Sequence, residues 1–255
     1  CRVIESVIIF LLLPDKSINL IFTSPPYAEQ RKHQYGGINE KDYPEWTVKW
    51  CESAKEKLTD DGSICINIRP HIKNGEISDY VLKTRLALRE AGWKECEELI
   101  WIKTTSPPMG SVNRPRRAWE SILWFSKTSK PKCYPKNNGV ESNRIGFAGS
   151  KFEEGGLSHI HAGQKPPTSI GTARCTDFIE TDIDYIKIGT GNVEKGYNHP
   201  AMFPPELPEY IIKMMTDEND LVCDPFMGSG TTGRVAEKLN RQWLGFEINK
   251  EYITA

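Results

Sequence analysis

The sequence is short of the features that settle a function early. No apolar run approaches the ~18 residues of a membrane-spanning helix. The longest, Val7–Leu13, ends after seven residues at Pro14-Asp15-Lys16. With no small-residue cleavage site behind it, this run is expected to be a core element rather than a signal peptide. Seven cysteines, at 1, 51, 65, 96, 133, 175 and 223, include no C-x-x-C pair, so neither a zinc site nor a disulfide framework has its spacing. A reducing cytosol suits that usage. His159 and His161 form an H-x-H with no carboxylate or thiol spacing to complete a metal site, and His33 has no evident acid–base partner, so no metal is expected. No Pro-Cys dipeptide is present, which argues against a thiolate attacking a pyrimidine ring. No Gly-Lys-Ser/Thr follows a glycine loop, which excludes a P-loop. Charge of neither sign dominates, with 33 Lys+Arg against 34 Asp+Glu.

That balance conceals an asymmetry. Residues 101–175 hold 12 Lys and Arg against 4 Asp and Glu, and the rest of the chain is acidic. A polyanion would therefore meet the middle of the chain. Arg31, Lys32, Arg114, Arg116, Arg117 and Lys127 are the candidate contacts to a phosphate backbone, and the aromatics among them suit a surface that also probes bases.

What is present is organised around Asn19–Tyr27. An apolar run, Leu20-Ile21-Phe22, passes into Thr23-Ser24-Pro25-Pro26-Tyr27. Apolar residues stopped by proline read as a buried strand ending at its carboxyl edge, where open α/β sheets handle ligands. The prolines hold φ near about −65° and give no N–H to a ladder, so the turn is stiff. It offers a hydroxyl from Ser24, a carbonyl from Pro25 and a flat ring from Tyr27. These could hold an amino group and stack a planar base.

The remaining chain alternates. Helical spacing covers 43–58 through Trp46, Trp50, Ala54 and Leu58, stopped by Asp60-Asp61-Gly62. A strand follows at 63–68, a helix at 77–91 through Val81, Leu82, Leu86 and Leu88, and a strand at 99–102. Residues 28–44 are a polar candidate lid. Beyond 103 the chain turns rich in Gly, Asn, Ser, Pro and Lys, with one evident strand at 121–125. Regular pattern returns with a helix begun at Pro208 and a buried strand, Leu221–Asp224. This strand runs through Pro225-Phe226-Met227-Gly228-Ser229-Gly230 into a helix from Thr231 to Leu239. Strand, glycine turn and helix make a nucleotide-type crevice, since glycine allows close backbone approach and the helix start has free N–H groups. The next strand, 243–247, ends at Glu247, where such folds hold ribose hydroxyls.

Taken together, Thr23-Ser24-Pro25-Pro26-Tyr27, His199-Pro200-Ala201-Met202-Phe203, Asp224–Thr232 and Gly245-Phe246-Glu247-Ile248-Asn249 resemble the motifs of the DNA amino-methyltransferases. These enzymes move a methyl group from S-adenosylmethionine to an exocyclic base nitrogen. The catalytic loop precedes the cofactor loop, as in the β group of that family. The resemblance implies one Rossmann-like α/β domain with a mostly parallel sheet, circularly permuted motif order and an inserted loop-rich target-recognition region. Its expected divisions are 1–102 (catalytic half), 103–198 (DNA-binding insertion) and 199–255 (cofactor half).

The resemblance also implies roles. Ser24, Pro25, Pro26 and Tyr27 receive the target base. His199, Pro200, Ala201, Phe203, Asp224, Pro225, Phe226, Gly228, Ser229, Gly230, Thr231, Thr232, Glu247 and Asn249 hold the cofactor, which leaves as S-adenosylhomocysteine. Double-stranded DNA is the implied substrate, with the base flipped out of the stack, and a cognate restriction endonuclease is a candidate partner. A cytoplasmic bacterial, archaeal or phage-encoded enzyme is expected. Serine before Pro-Pro-Tyr is associated in this family with cytosine N4, and Asp or Asn with adenine N6. Cytosine N4 is therefore the expected target, with adenine N6 and an inactive DNA-binding relic as alternatives. The family's Gly-Asp pair would lie upstream of residue 1, and the helix after Glu247 is cut short, so truncation at both ends is expected.

Overall fold

A computed structural model describes residues 10–29, 37–104, 113–139, 141–142, 171–172, 174–181, 203–249 and 252. In chain order the strands are β1 (Ile18–Thr23), β2 (Leu58–Ile68), β3 (Ile72–Lys73), β4 (Glu76–Ile77), β5 (Lys94–Lys103), β6 (Trp119–Ser126), β7 (Glu141–Ser142), β8 (Gly171–Thr172), β9 (Phe178–Thr181), β10 (Leu221–Asp224) and β11 (Gln242–Gly245). The helices are α1 (Tyr43–Lys55), α2 (Tyr80–Glu90), α3 (Glu206–Met215) and α4 (Thr231–Lys238).

Seven strands make one sheet in the order β11-β10-β1-β2-β6-β5-β9. All run parallel except β6, which is antiparallel to β2 and to β5. The last strands of the chain, β10 and β11, lie beside the first. This is the permuted, mostly parallel Rossmann-like sheet that the motif order implied. Ile18, Leu20, Ile21 and Phe22 are fully buried in β1, as a central strand covered on both faces requires. Helix α1 sets Trp50 and Ala54 into the core, where Ile64, Leu123 and Phe125 also lie.

The chain splits into two compact units, 1–134 with 177–255, and 135–176. The second contains a short 3-10 turn (Pro135–Asn138) and the antiparallel pair β7–β8. In the first unit, β6 from the basic middle of the sequence and β9 just beyond it complete the sheet.

Three expectations need correction. Asp60-Asp61-Gly62 does not stop α1, which ends at Lys55; these residues lie inside β2, at an irregularity in its pairing with β1. A Cβ on Gly62 would sit 3.1 Å from the Ile18 carbonyl oxygen, so the glycine is there for close strand approach. In α2, Val81 and Leu88 are buried but Leu82 and Leu86 are exposed; Tyr80 and Thr84 fill the inward face instead. From the described end of the Val7–Leu13 run, Phe10 enters the core while Leu11 and Leu12 face outward.

Candidate active site at the carboxyl edge of the sheet

The parallel strands β1 and β10 are neighbours, pairing Leu20 with Val222 and Ile21 with Cys223. Their carboxyl ends therefore deliver Ser24-Pro25-Pro26-Tyr27 and the glycine turn side by side. Asp224 ties the two together. Its Oδ1 accepts from Thr23 Oγ1 (2.7 Å) and from the Phe226 backbone N–H (3.1 Å), and its Oδ2 accepts from Thr232 Oγ1 (2.7 Å). Burial pushes this carboxyl up to about 6, opposed by those three hydrogen bonds. Asp224 thus braces the end of β1, the glycine turn and α4 into one body. The strand-end position of Asp224 is legible in the sequence. Its partner Thr23 is not, because nothing in the spacing links two positions 201 residues apart.

The glycine turn is set by backbone geometry. Gly228 and Gly230 have φ of 55° and 80°, values that side chains disfavour. The turn was expected to fall short of the full G-x-G-x-x-G fingerprint, but Gly233 completes that spacing in the sequence; a Cβ on it would lie 2.6 Å from the Trp243 ring, so α4 packs directly on β11. Glu247 lies two residues beyond β11. Its carboxylate accepts from the Gly228 N–H and the Asn249 N–H, both at 2.8 Å, and stays half-buried. A carboxylate has about four acceptor sites, so capacity remains for ligand hydroxyls. Phe226 lies against Trp46 and Trp50 of α1, and Phe203 meets Phe22 edge-on at 5.5 Å. Pro225, Ser229 and Thr231 are buried around the turn. His199, Pro200 and Ala201 lie outside the described residues.

On the other side of β1, Pro25 is buried and Ser24, Pro26 and Tyr27 are half-buried. The Tyr27 hydroxyl donates to Glu120 Oε2 at 2.6 Å, and Asn67 Nδ2 donates to the same oxygen at 3.0 Å. Lys103 Nζ pairs with Glu120 Oε1. Asn67, Lys103 and Glu120 sit at the ends of β2, β5 and β6 that meet at this edge. The Tyr27 phenol is held well above its usual range by burial and then by the Glu120 charge, opposed by a hydrogen bond from the Ser24 side chain. Glu120, Asn67 and Lys103 gave no sequence signal, since no motif or spacing joins three residues on three separate strands.

Arg114, Arg116 and Arg117 lead into β6 at this same edge, with Arg114 and Arg116 exposed. Lys127 is not brought there; it follows β6 at the opposite edge and donates to the Leu58 carbonyl at 2.8 Å. Arg31, Lys32 and His33 of the expected lid lie outside the described residues, as do His159 and His161. Among the described residues, Glu29, Glu40 and His71 are close enough to share a cation, but Lys73 Nζ already bridges the two carboxylates at 2.9 and 3.1 Å.

An α/β sheet with a glycine turn, an acid after the next strand and a rigid Ser-Pro-Pro-Tyr loop on the adjoining strand defines a nucleotide-binding, group-transferring class of protein. The chain belongs to the N6/N4 DNA methylase family, whose pattern it matches over residues 18–255. It is similar to the type II methyltransferase M.PvuII of Proteus hauseri, at 32% identity over 95% of this chain and 77% of that protein. It is also similar to M.BglII of Bacillus subtilis, at 29% identity over 94% of this chain and 63% of the relative. The solved PvuII DNA methyltransferase (cytosine-N4-specific) superposes with a TM-score of 0.70 at 29% identity, covering 97% of this chain and 80% of that one. M1.HpyAVI, solved with S-adenosylmethionine, shares the fold at a TM-score of 0.58 and 22% identity.

Proposed function

We propose that this protein transfers the methyl group of S-adenosylmethionine to the N4 amino group of cytosine in duplex DNA. The observation that carries this reading is the Asp224 brace, which holds Ser24-Pro25-Pro26-Tyr27 beside the glycine turn on adjacent strand ends. The cofactor fits that turn. The glycine turn, the first residues of α4 and the half-buried Glu247 carboxylate meet at these strand ends, with the Phe226 ring following Asp224. Asp224, Glu247 and the Gly228–Thr232 turn would bind it, with 199–203 closing the methionine end.

The chemistry needs no covalent nucleophile. The flipped cytosine places its amino group between Ser24 Oγ and the Pro25 carbonyl, with Tyr27 against the ring. Those acceptors draw on the N–H bonds and leave density on nitrogen for attack on the sulfonium methyl. Rate comes from positioning and fixed dipoles. The uncharged Ser24 and the likeness to a cytosine-N4 enzyme both favour cytosine over adenine. Arg114, Arg116 and Arg117 would follow the phosphate backbone. The expected division at 103 and 198 then marks the stretch that selects the DNA site.

Incubating the protein with methyl-tritiated S-adenosylmethionine and either duplex DNA of mixed sequence or RNA tests the reaction class. Label is expected in the DNA alone. Label in RNA, or in neither, contradicts the reading.

A further inference from the structure

Glu120 is the one acid of β6, 7% exposed, and the reaction described above gives it no part. Its two carboxylate oxygens serve different partners. Oε1 pairs with Lys103 Nζ and lies 4.0 Å from Arg69 Nη1. Oε2 accepts from Asn67 Nδ2 at 3.0 Å and from the Tyr27 hydroxyl at 2.6 Å. A carboxylate only accepts, so the phenol is the donor in that bond. The Tyr27 oxygen accepts in turn from Asn67 Nδ2 at 3.4 Å. Tyr27, Asn67 and Glu120 therefore close a triangle of bonds at the phenol end of the ring. Lys103, itself 4.3 Å over the Trp101 ring, holds the other oxygen toward β5. Three neighbouring strands, β2, β6 and β5, thus fix the acid, and its bond to Tyr27 leaves the sheet for the loop after β1.

Tyr27 needs such a tether. Pro25 and Pro26 stiffen the backbone before it, but a tyrosine ring still turns about its side-chain bonds unless its far end is held. A neutral acceptor would satisfy the phenol; a carboxylate makes a bond roughly twice as strong. We infer that Glu120 is a positioning residue that fixes the tilt of the Tyr27 ring, the surface against which the flipped base rests, and so the line from the amino nitrogen to the methyl carbon. This rests on the methyl-transfer reading above. Glu120 takes up no proton in this role; it acts through Tyr27. Its effect falls on the rate within the assembled complex rather than on assembly, because small errors of alignment between reacting atoms are costly.

The rival explanation is that Glu120 serves only as the buried mate of Lys103. Two measurements separate them. In the first, single-turnover formation of N4-methylcytosine on mixed-sequence duplex DNA is followed at saturating cofactor, with cofactor and DNA affinities measured alongside. Tyr27→Phe keeps the ring and removes its tether; Glu120→Gln keeps the shape and removes the charge. Each is expected to slow the turnover by on the order of tenfold, the scale of one hydrogen bond to a charged group, with affinities within about threefold. The double variant is expected to match the slower single variant, because both changes break the same bond. Losses that multiply mean that the two residues act separately, and overturn the proposal. In the second, the protein carries carbon-13 at the tyrosine Cζ atoms, and the Tyr27 magnetic-resonance signal is identified by its loss in Tyr27→Phe. Glu120→Gln is expected to shift that signal; an unmoved signal overturns the tether whatever the activity. Should Glu120→Gln fail to fold, Tyr27→Phe decides alone, and turnover at the wild-type rate overturns the positioning role while leaving methyl transfer intact. Absence of N4-methylcytosine from the wild-type protein overturns the methyl-transfer reading, and the positioning role with it.

Discussion

Ser24 and Asp224 stand 200 residues apart in the sequence, yet Thr23, the neighbour of Ser24, donates directly to the Asp224 carboxylate. Their substitutions should separate chemistry from binding. On the proposed reading, Ser24→Ala removes an acceptor at the reacting amine and nothing from the glycine turn. Turnover is expected to fall by on the order of 10²-fold, while calorimetry finds cofactor affinity nearly unchanged. Asp224 gives a second prediction through its titration. Its carboxyl lies at about 6 in the folded protein against 3.8 for the free group, so folding binds a proton between those values. Stability from this group is present at low pH and is lost as pH rises toward about 6. Asp224→Asn can keep the contacts to Thr23 and Phe226 but cannot titrate. Denaturant titrations from pH 4 to 7 are expected to show wild-type stability declining relative to Asp224→Asn as pH rises, then running parallel. A constant difference would mean that the carboxyl is not taken up neutral on folding.

At the scale of elements, the packing of α4 on β11 depends on the absence of a side chain. Gly233→Ala would drive a methyl group into the Trp243 ring, and overpacking of that kind costs about 1–3 kcal/mol. A fall in melting temperature, relieved by Gly233→Ala combined with Trp243→Leu, is the expected outcome. Most elements were legible from pattern alone. β1, β6 and β10 are short buried strands bounded by turn residues, and their periods leave little choice. The failures have physical causes. Asp60 and Asp61 look like a helix stop but belong to the partly exposed start of β2, where charge is tolerated. In α2 the apolar spacing misled, because Tyr80 buries a larger ring and donates its hydroxyl to the Arg69 carbonyl at 2.5 Å. The Ser24–Tyr27 loop and the glycine turn were readable because proline and glycine mark backbone that few other residues favour. Glu120 was not, since a single acid in the strand Trp119–Ser126 acquires meaning only through Tyr27, from the loop after β1, and Asn67, from β2.

For the whole molecule, the near-neutral charge would suggest indifference to DNA, and the placement of the arginines suggests otherwise. Arg114, Arg116 and Arg117 enter β6 at the edge that carries Ser24. Burial, and then the nearby Arg69, lowers the Arg117 guanidinium from its usual range, and an approaching phosphate would relieve that repulsion. Replacing the three with glutamine is expected to flatten the dependence of DNA binding on salt, by about one unit of slope for each phosphate that is no longer neutralised. An unchanged slope would put the DNA face elsewhere. No helix among the described residues is long and apolar enough to cross a membrane.

The central claim is a reaction at one atom, and nucleoside mass spectrometry reads that atom directly. Mixed-sequence duplex DNA is incubated with the protein and S-adenosylmethionine, digested to nucleosides and analysed. N4-methylcytosine, formed far more slowly when Ser24→Ala replaces the wild-type protein, is the predicted product. N6-methyladenine in its place would contradict the assignment of the target base, and an unmodified digest would contradict the assignment of the reaction.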